Sequence, residues 1–129
     1  MKSISLGNGV STKMKGVLLK HVEAAVKAAR KSTCLHQHGA VIINKKGRVI
    51  ASGYNKHSKY LHAEVDAVSK IYNFRNRQPF HEYTMIVVRY GPTKLKMSKP
   101  CQRCQDFLAD IGLSDIYYSD IDGYIEELI

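Results

Sequence analysis

The sequence predicts an α/β fold, with one mixed β-sheet of about five strands and helices on both of its faces. Three segments carry apolar residues at the period of an α-helix, and short runs of mainly β-branched and other apolar residues lie between and after them. The chain has 129 residues, a length at which one domain buries roughly two-thirds of the surface that its unfolded chain exposes. We therefore expect residues 1–129 to form a single domain.

The first half of the chain predicts one helix and one β-hairpin. Residues 1–15 are rich in Ser, Gly and Lys with little periodicity, so we expect an irregular end. Apolar residues recur at helical spacing over residues 16–31, which predicts the first, amphipathic helix. Residues 40–44 and 48–54 are two apolar, β-branched-rich runs separated by Lys45-Lys46-Gly47, where the glycine can adopt the positive φ of a hairpin turn. We expect these two runs to pair.

The middle of the chain predicts a second helix and a buried strand. Residues 62–74 have apolar side chains at helical spacing, and residues 75–83 are polar with a proline, which is typical of a loop. Residues 85–90, MIVVRY, form a short continuous apolar run, which favours a central strand buried on both faces.

The last third predicts a third helix and one or two strands. Pro100 precedes the segment 101–111, as expected where proline begins a helix after a strand. Residues 115–119, DIYYS, predict a strand. Residues 124–129 are too few to distinguish a strand period from a helical one.

A group of metal-ligating residues lies at the starts of the second and third helices. Cys101 and Cys104, at i and i+3, share one helix face, and His62 from the second helix would complete three zinc ligands. Structural zinc sites have four protein ligands, whereas catalytic sites have three and an open position for water. Glu64 is the candidate proton carrier, and it can flank the same water as His62 only near the open end of the helix.

These residues match the signature H-x-E followed by P-C-x-x-C, which is that of the zinc nucleobase deaminases. The chain resembles the cytidine and deoxycytidylate deaminase superfamily over about residues 24–128. This resemblance implies a three-layer α/β/α fold, a Zn²⁺ cofactor and a homo-oligomer.

The resemblance also implies a role for each site residue. His62, Cys101 and Cys104 would hold zinc, and Glu64 would carry protons during attack of water on C4 of cytosine. The backbone N–H of Ala63 and the backbone carbonyl of Lys99 would contact the pyrimidine. Asn55, which ends the segment GAVIINKKGRVIASGYN, would bind a sugar hydroxyl of the substrate.

Two parts of the chain resemble enzymes with different substrates. The segment 39–55 is similar to the opening hairpin of deoxycytidylate deaminases, although the loop 56–61 is shorter than theirs. The tail YYSDIDGYIEEL is similar to the end of free-nucleoside cytidine deaminases. We therefore expect hydrolytic deamination of a small cytosine nucleoside or nucleotide, by a hydrolase acting on the C–N bond of a cyclic amidine.

Three other functions are each compatible with part of the sequence. A polynucleotide (tRNA or single-stranded DNA) base deaminase is the main alternative, because transfer-RNA adenosine deaminases share H-A-E and P-C-x-x-C. A C-x-x-C redox protein would leave His62 and Glu64 unexplained, and the chain has no tryptophan beside the pair. A structural zinc module would need a fourth ligand such as His57 or His81.

Charge and cysteine content bear on partners and compartment. The formal net charge of +9, from 20 Lys and Arg against 11 Asp and Glu, would attract polyanions or phosphorylated substrates, but no compact basic run is present. Cys34, His36 and His38 could suggest a second metal site, although a buried thiol beside surface histidines is the commoner arrangement.

No apolar run approaches the roughly 20 residues of a membrane span, and residues 1–10 lack the apolar core of a secretory signal. Together with the three cysteines, this predicts a cytoplasmic protein without a membrane partner.

Overall fold

A computed structural model of the chain describes residues 19–57, 61–73 and 77–128, together with the backbone of Ser3–Ser5. The described residues form a mixed β-sheet with helices on both faces, which confirms the predicted fold class. The strands are β1 (Ser3–Ser5), β2 (His38–Ile43), β3 (Val49–Tyr54), β4 (Thr84–Arg89), β5 (Asp115–Ser119) and β6 (Tyr124–Glu127). The helices are α1 (Leu19–Ala29), α2 (Ala63–Ser69) and α3 (Gln102–Asp110), and a 3-10 turn covers Phe80–Glu82.

The sheet has the strand order β1-β6-β5-β4-β2-β3. β4 and β5 are parallel, and α3 connects them, whereas the other neighbouring strands are antiparallel. The predicted hairpin is β2–β3, and Gly47 in its turn has a φ of 84°. The start of β2 and the ends of β3, β4 and β5 therefore meet at one edge of the sheet.

Each face of the sheet has its own hydrophobic core. α1 packs on one face with residues such as Val41 and Ile86, and α2 and α3 pack on the other with residues such as Ile42 and Met85. Two glycines allow the helices to approach closely. A Cβ on Gly39 would collide with the backbone of α1, and a Cβ on Gly53 would collide with the backbone of α2 at Ala67. The second contact holds α2 against the end of β3.

The second helix is shorter than predicted. The segment 62–74 was expected to be helical, but α2 ends at Ser69 and Lys70 is its C-cap. Tyr72 leaves the helix, and its ring stacks on that of Phe80 with 6.5 Å between the ring centroids. The helical spacing of Tyr72 was therefore misleading, because its side chain packs on Phe80 outside the helix. Residues 74–76 lie outside the described part of the chain.

Both ends of the sequence contribute strands to the same side of the sheet. Residues 1–15 were expected to be irregular, but Ser3–Ser5 forms β1, which pairs with β6; the rest of that segment lies outside the described residues. The ambiguous tail forms β6, antiparallel to β5. In the turn between them, Gly123 has a φ of 90°, and Oδ1 of Asp120 accepts hydrogen bonds from the backbone N–H groups of Asp122 and Tyr124. The sheet thus has one more strand than expected. None of the described helices has the length and apolar character needed to cross a membrane.

Candidate active site

The N-termini of α2 and α3 meet beside the sheet edge at which β3 and β4 end. This is expected of an α/β sheet, because each of the two helices follows a strand that ends there. His62 is the N-cap of α2 and Cys101 is the N-cap of α3, and both have extended backbone conformations. Neither side chain forms a capping hydrogen bond, so both are available to a ligand.

His62, Cys101 and Cys104 form a group that could hold a metal ion. The potential ligand atoms of the three side chains all lie within 4.8 Å of one another. Nδ1 of His62 lies 3.1 Å from Sγ of Cys104 and 3.9 Å from Sγ of Cys101. Two thiols and one imidazole suit zinc, and three protein ligands leave a fourth position open.

The two other metal sites that the sequence could suggest are not formed in the described part of the chain. Neither His57 nor His81 belongs to the group of possible ligands, so a closed four-ligand site is not formed there. Cys34, His36 and His38 do not form such a group either. Cys34 is half-buried, and its thiol donates a long hydrogen bond to the carbonyl of Asn55.

Glu64 is the second residue of α2 and is buried, with 5% of its surface exposed. Because His62 precedes the first helical turn, its imidazole and the carboxyl group of Glu64 can both face the open ligand position. This is the arrangement expected at the open end of a helix. Burial raises the pKa of the Glu64 carboxyl above its usual value, although its own backbone N–H and the charge of His62 act in the opposite direction. Such a carboxyl group can hold a proton at a higher pH than an exposed one.

Burial also affects the neighbouring thiol. It raises the pKa of Cys104, and the charge of Glu64 and the hydrogen bond with Cys101 raise it further. A thiol at a helix N-terminus ordinarily has a lowered pKa, and burial outweighs that effect here. A metal cation that replaces the thiol proton would compensate for this cost.

A cavity of about 410 Å³ opens beside the metal-ligating group. Its lining includes the three residues predicted to bind substrate, namely Asn55, Ala63 and Lys99, together with Glu64. It is also lined by residues that were not assigned to the site: Cys34, Leu35, His36, His38, His57 and Ser98. The two histidines interpreted as surface residues are therefore part of the cavity wall, because the loop before β2 folds over the ends of β3 and β4.

Asn55 connects this wall to β3. Its Oδ1 accepts a hydrogen bond of 2.9 Å from the backbone N–H of His38, and its Nδ2 donates one of 2.7 Å to the carbonyl of His36. Both ends of the amide thus hold the loop in place. A contact with a sugar hydroxyl stays a prediction for this residue.

Comparison with known proteins identifies the family. The model of the cytidine and deoxycytidylate deaminase zinc-binding region matches residues 16–120, which are most of the chain. No curated protein sequence matches this chain.

Among solved structures, cytidine deaminase from Burkholderia pseudomallei has a TM-score of 0.64 at 20% identity, covering 84% of this chain and 89% of that one. The dCMP deaminase from the cyanophage S-TIM5 has a TM-score of 0.62 at 19% identity, covering 87% and 86%. A diaminohydroxyphosphoribosylaminopyrimidine deaminase/5-amino-6-(5-phosphoribosylamino)uracil reductase from Thermotoga maritima has a TM-score of 0.57 at 20% identity, covering 83% of this chain and 29% of that one. At these identities the likenesses show the fold, and the family match over residues 16–120 shows that this chain belongs to the cytidine and deoxycytidylate deaminase family.

Proposed function

We propose that this protein is a zinc-dependent hydrolase that converts a small cytosine nucleoside or nucleotide to its uracil product and ammonia. The observation that carries this proposal is the convergence of His62, Cys101 and Cys104 beside a buried glutamate in one cavity. The same proposal includes a homo-oligomeric, cytoplasmic enzyme, as the resemblance and the composition imply.

The metal-ligating residues define what zinc would contribute. Zinc held by His62, Cys101 and Cys104 would supply a water molecule of lowered pKa for attack on the substrate. Two thiolates neutralise the charge of the cation and so weaken it as a Lewis acid. A separate proton acceptor is therefore needed, and Glu64 is the carboxyl group in the cavity wall that can fill this role.

Glu64 carries the protons of the reaction. It accepts a proton from the attacking water and donates one to N3 of the cytosine ring, which makes C4 more electrophilic. It then takes the remaining proton from the hydroxyl group added to C4 and delivers it to the amino group, so that the C4–N bond breaks, ammonia leaves and the C4 oxygen becomes the carbonyl of the uracil product. The raised pKa of Glu64 supports this role, because the carboxyl group must hold a proton between the two transfers.

Other residues of the cavity would position the substrate. The backbone N–H of Ala63, at the positive end of α2, and the carbonyl of Lys99 would contact polar atoms of the pyrimidine. Asn55 would bind the sugar. A cavity of about 410 Å³ is within the size range of small-molecule sites, which favours a nucleoside or nucleotide over a strand.

The net charge of +9 favours the second candidate, a polynucleotide base deaminase. The test is ammonia release by the zinc-loaded protein from cytidine, deoxycytidine, their monophosphates and single-stranded DNA or RNA, at two ionic strengths. We expect turnover of the small substrates, with weak salt dependence for the nucleosides. Turnover confined to the polymers, with apparent affinity falling steeply as salt rises, would favour the second candidate instead.

A further inference from the structure

Two polar residues of the cavity wall, His38 and Ser98, have no role in the proposed mechanism. His38 begins β2, Ser98 lies between β4 and α3, and both line the cavity. Nδ1 of His38 lies 2.8 Å from the hydroxyl oxygen of Ser98. The backbone N–H of His38 donates a hydrogen bond of 2.9 Å to Oδ1 of Asn55. Both the ring and the backbone of His38 are therefore held in the wall.

The contact with Ser98 decides which ring nitrogen of His38 carries the proton. Ser98 is 4% exposed, and Nδ1 of His38 is the one hydrogen-bond partner of its hydroxyl group in the described part of the chain. A buried hydroxyl group needs an acceptor for its proton, so Ser98 donates to Nδ1. Burial and the neighbouring charges lower the pKa of His38 to about 4, so the ring is neutral near pH 7. The single proton of this neutral ring is therefore on Nε2.

The Nε2–H group of His38 is a hydrogen-bond donor that is accessible from the cavity. It has no partner among the described residues, and no buried side-chain nitrogen or oxygen of those residues lacks one, so Nε2 is not a buried atom. His38 is half-buried and lines the cavity, which is thus where Nε2 is reached. Binding cavities use a small number of such fixed polar groups to orient a ligand.

The contact with Ser98 also places the ring of His38 at the end of the cavity where the base would react. Ser98 directly precedes Lys99, whose carbonyl is expected to contact the pyrimidine, and it lies three residues before the metal-ligating Cys101. Lys99 and Cys101 line the same cavity. His38 is near enough to His62 for the charge of that residue to lower the pKa of His38. We therefore expect the base of a bound substrate, and not its sugar, to lie beside His38.

The cytosine ring offers two acceptor atoms to such a donor. N3 receives a proton from Glu64 in the proposed mechanism, which leaves the carbonyl oxygen O2. A carbonyl oxygen has two lone pairs, so O2 can accept from the backbone N–H of Ala63 and from a second N–H group. When the amino group of adenine takes the place of that of cytosine, a C–H group stands where cytosine has O2. A donor at this place thus favours cytosine over adenine.

We propose that His38 is a specificity-determining residue of this cavity, whose Nε2–H donates a hydrogen bond to O2 of the cytosine base and favours a 2-oxopyrimidine over a purine. This inference rests on the proposed deaminase function. Ser98 is a positioning residue, because it acts by keeping the proton of the His38 ring on Nε2.

The test uses two amides that replace different parts of the imidazole. The amide of asparagine lies at the place of Nδ1, so His38→Asn keeps an acceptor for Ser98 and loses the donor at Nε2. The amide of glutamine lies one bond further out, so His38→Gln keeps a donor near the place of Nε2. We expect KM for the cytosine substrate to rise about 3- to 10-fold in His38→Asn, the size of one neutral hydrogen bond, and to change less in His38→Gln. The effect on kcat should be smaller, because the contact exists before and during the reaction.

Zinc content is measured in every variant, so that a loss of metal is not mistaken for a loss of substrate binding. His81→Asn makes the same replacement at an exposed histidine that does not line the cavity. It is the matched control and should keep the wild-type KM.

Replacement of O2 itself identifies the atom that His38 contacts. 2-Thiocytidine carries sulfur, a weak acceptor, in place of this oxygen, and it is compared with cytidine as the nucleoside and as the 5′-monophosphate. His38→Asn should reduce the wild-type preference for the oxygen compound by about 3- to 10-fold in kcat/KM, whereas His38→Gln should keep most of it. Titration of the zinc-loaded proteins with uridine and 2-thiouridine should show the same differences without turnover. Ser98→Ala serves if His38→Asn does not fold, and it should reduce the preference because Nδ1 can then carry the proton.

The outcomes separate the contact from the function. If the wild-type protein deaminates cytidine but His38→Asn keeps the preference over 2-thiocytidine, or His38→Gln loses more of it, then His38 is structural and the proposal is overturned while the function stands. Equal losses on both compounds would overturn the assignment to O2, and wild-type turnover of adenosine as fast as cytidine would overturn the specificity. A His38-dependent preference for uridine over 2-thiouridine, in a protein that deaminates no cytosine compound, would support the contact and overturn the function.

Discussion

The two helix starts that form the candidate site are held in different ways. In α2, five of the seven residues are buried, whereas in the nine residues of α3 only Cys104 and Leu108 are buried. α2 is also tied to β3 by charge, because Oδ2 of Asp66 accepts hydrogen bonds from the backbone N–H of Tyr54 at 3.1 Å and from Nζ of Lys56 at 2.6 Å. The start of α3 is held by neutral hydrogen bonds, such as that from Nε2 of Gln105 to the carbonyl of Pro100.

The proposed reaction requires an accurately placed Glu64 and a metal site that an ion can reach, and the two helices differ in a way that suits these two requirements. Glu64 must be placed accurately against the substrate, and it belongs to the helix with the larger buried contact. Cys101 is exposed at the start of the less buried helix, where a metal ion can reach it. Substitutions that disturb α2 should therefore affect catalysis through geometry, and those in α3 should affect it through metal content.

The largest effect is expected at the α3 start, in Cys104→Ser. This change removes one of three ligands, so the protein should lose most of its zinc, about one ion per chain, and its turnover with it. The measurement is zinc content by metal analysis together with ammonia release. Cys34→Ser is the matched control and should keep the metal; zinc loss in that variant but not in Cys104→Ser would show that the ligands are assigned wrongly.

The next largest effect is expected at the α2 start, in Glu64→Gln. An amide cannot exchange protons, so turnover should fall by about 10²- to 10⁴-fold while zinc content and fold are kept. Turnover and zinc content are measured on the same sample. A zinc-loaded Glu64→Gln protein with wild-type activity would refute the proposed mechanism.

Gly53→Ala tests how closely α2 must approach β3. The added methyl group would meet the backbone of Ala67 and Ala63, so α2 must shift, at a cost of about 1–3 kcal/mol in the free energy of unfolding. Because α2 carries Glu64, kcat should fall as well. Gly39→Ala makes the corresponding collision with α1 on the other face of the sheet. It should reduce stability similarly in denaturant unfolding but lower kcat less; equal losses of kcat would show that the position of α2 is not the sensitive feature.

The smallest effect is expected for Asp66→Asn, which keeps the shape of the side chain but removes its charge. The free energy of unfolding at neutral pH should fall by about 1 kcal/mol, because Lys56, which is partly exposed, loses a charged partner. Burial raises the pKa of Asp66, but the hydrogen bonds from Lys56 and Tyr54 and the charges of Lys56 and Lys70 outweigh it, so the pKa lies below its ordinary value of 3.8.

The stabilisation by Asp66 therefore depends on pH in a defined direction. It is present above pH 3.8 and is lost as the pH falls through the lower pKa of the folded state. In unfolding measurements over this range, the stability difference between the wild type and Asp66→Asn should shrink as the medium becomes more acidic. A difference that stays constant would mean that the charge of Asp66 contributes nothing to the link between α2 and β3.

Much of the fold follows from local patterns in the sequence. The hairpin β2–β3, the strand β5 and the helix α3 were predicted nearly to their ends, because periodicity and turn residues act over short distances. The convergence of His62, Cys101 and Cys104 was also predicted, because the two cysteines have helical spacing and the three residues match the signature H-x-E followed by P-C-x-x-C. The end of α2 was missed because Tyr72 packs on Phe80, a contact that no local pattern records.

The sequence by itself determined which residues can form a zinc site with a glutamate beside it, and that they lie at the starts of two helices. Only the tertiary structure decided that β6 runs antiparallel to β5, that Ser3–Ser5 extends the sheet, and that His36 and His38 line the cavity. The physical reason is that strand register and loop packing depend on contacts between residues far apart in the chain. His38 and Arg89 are opposite each other because β2 and β4 pair, and nothing in the neighbourhood of either residue encodes that pairing.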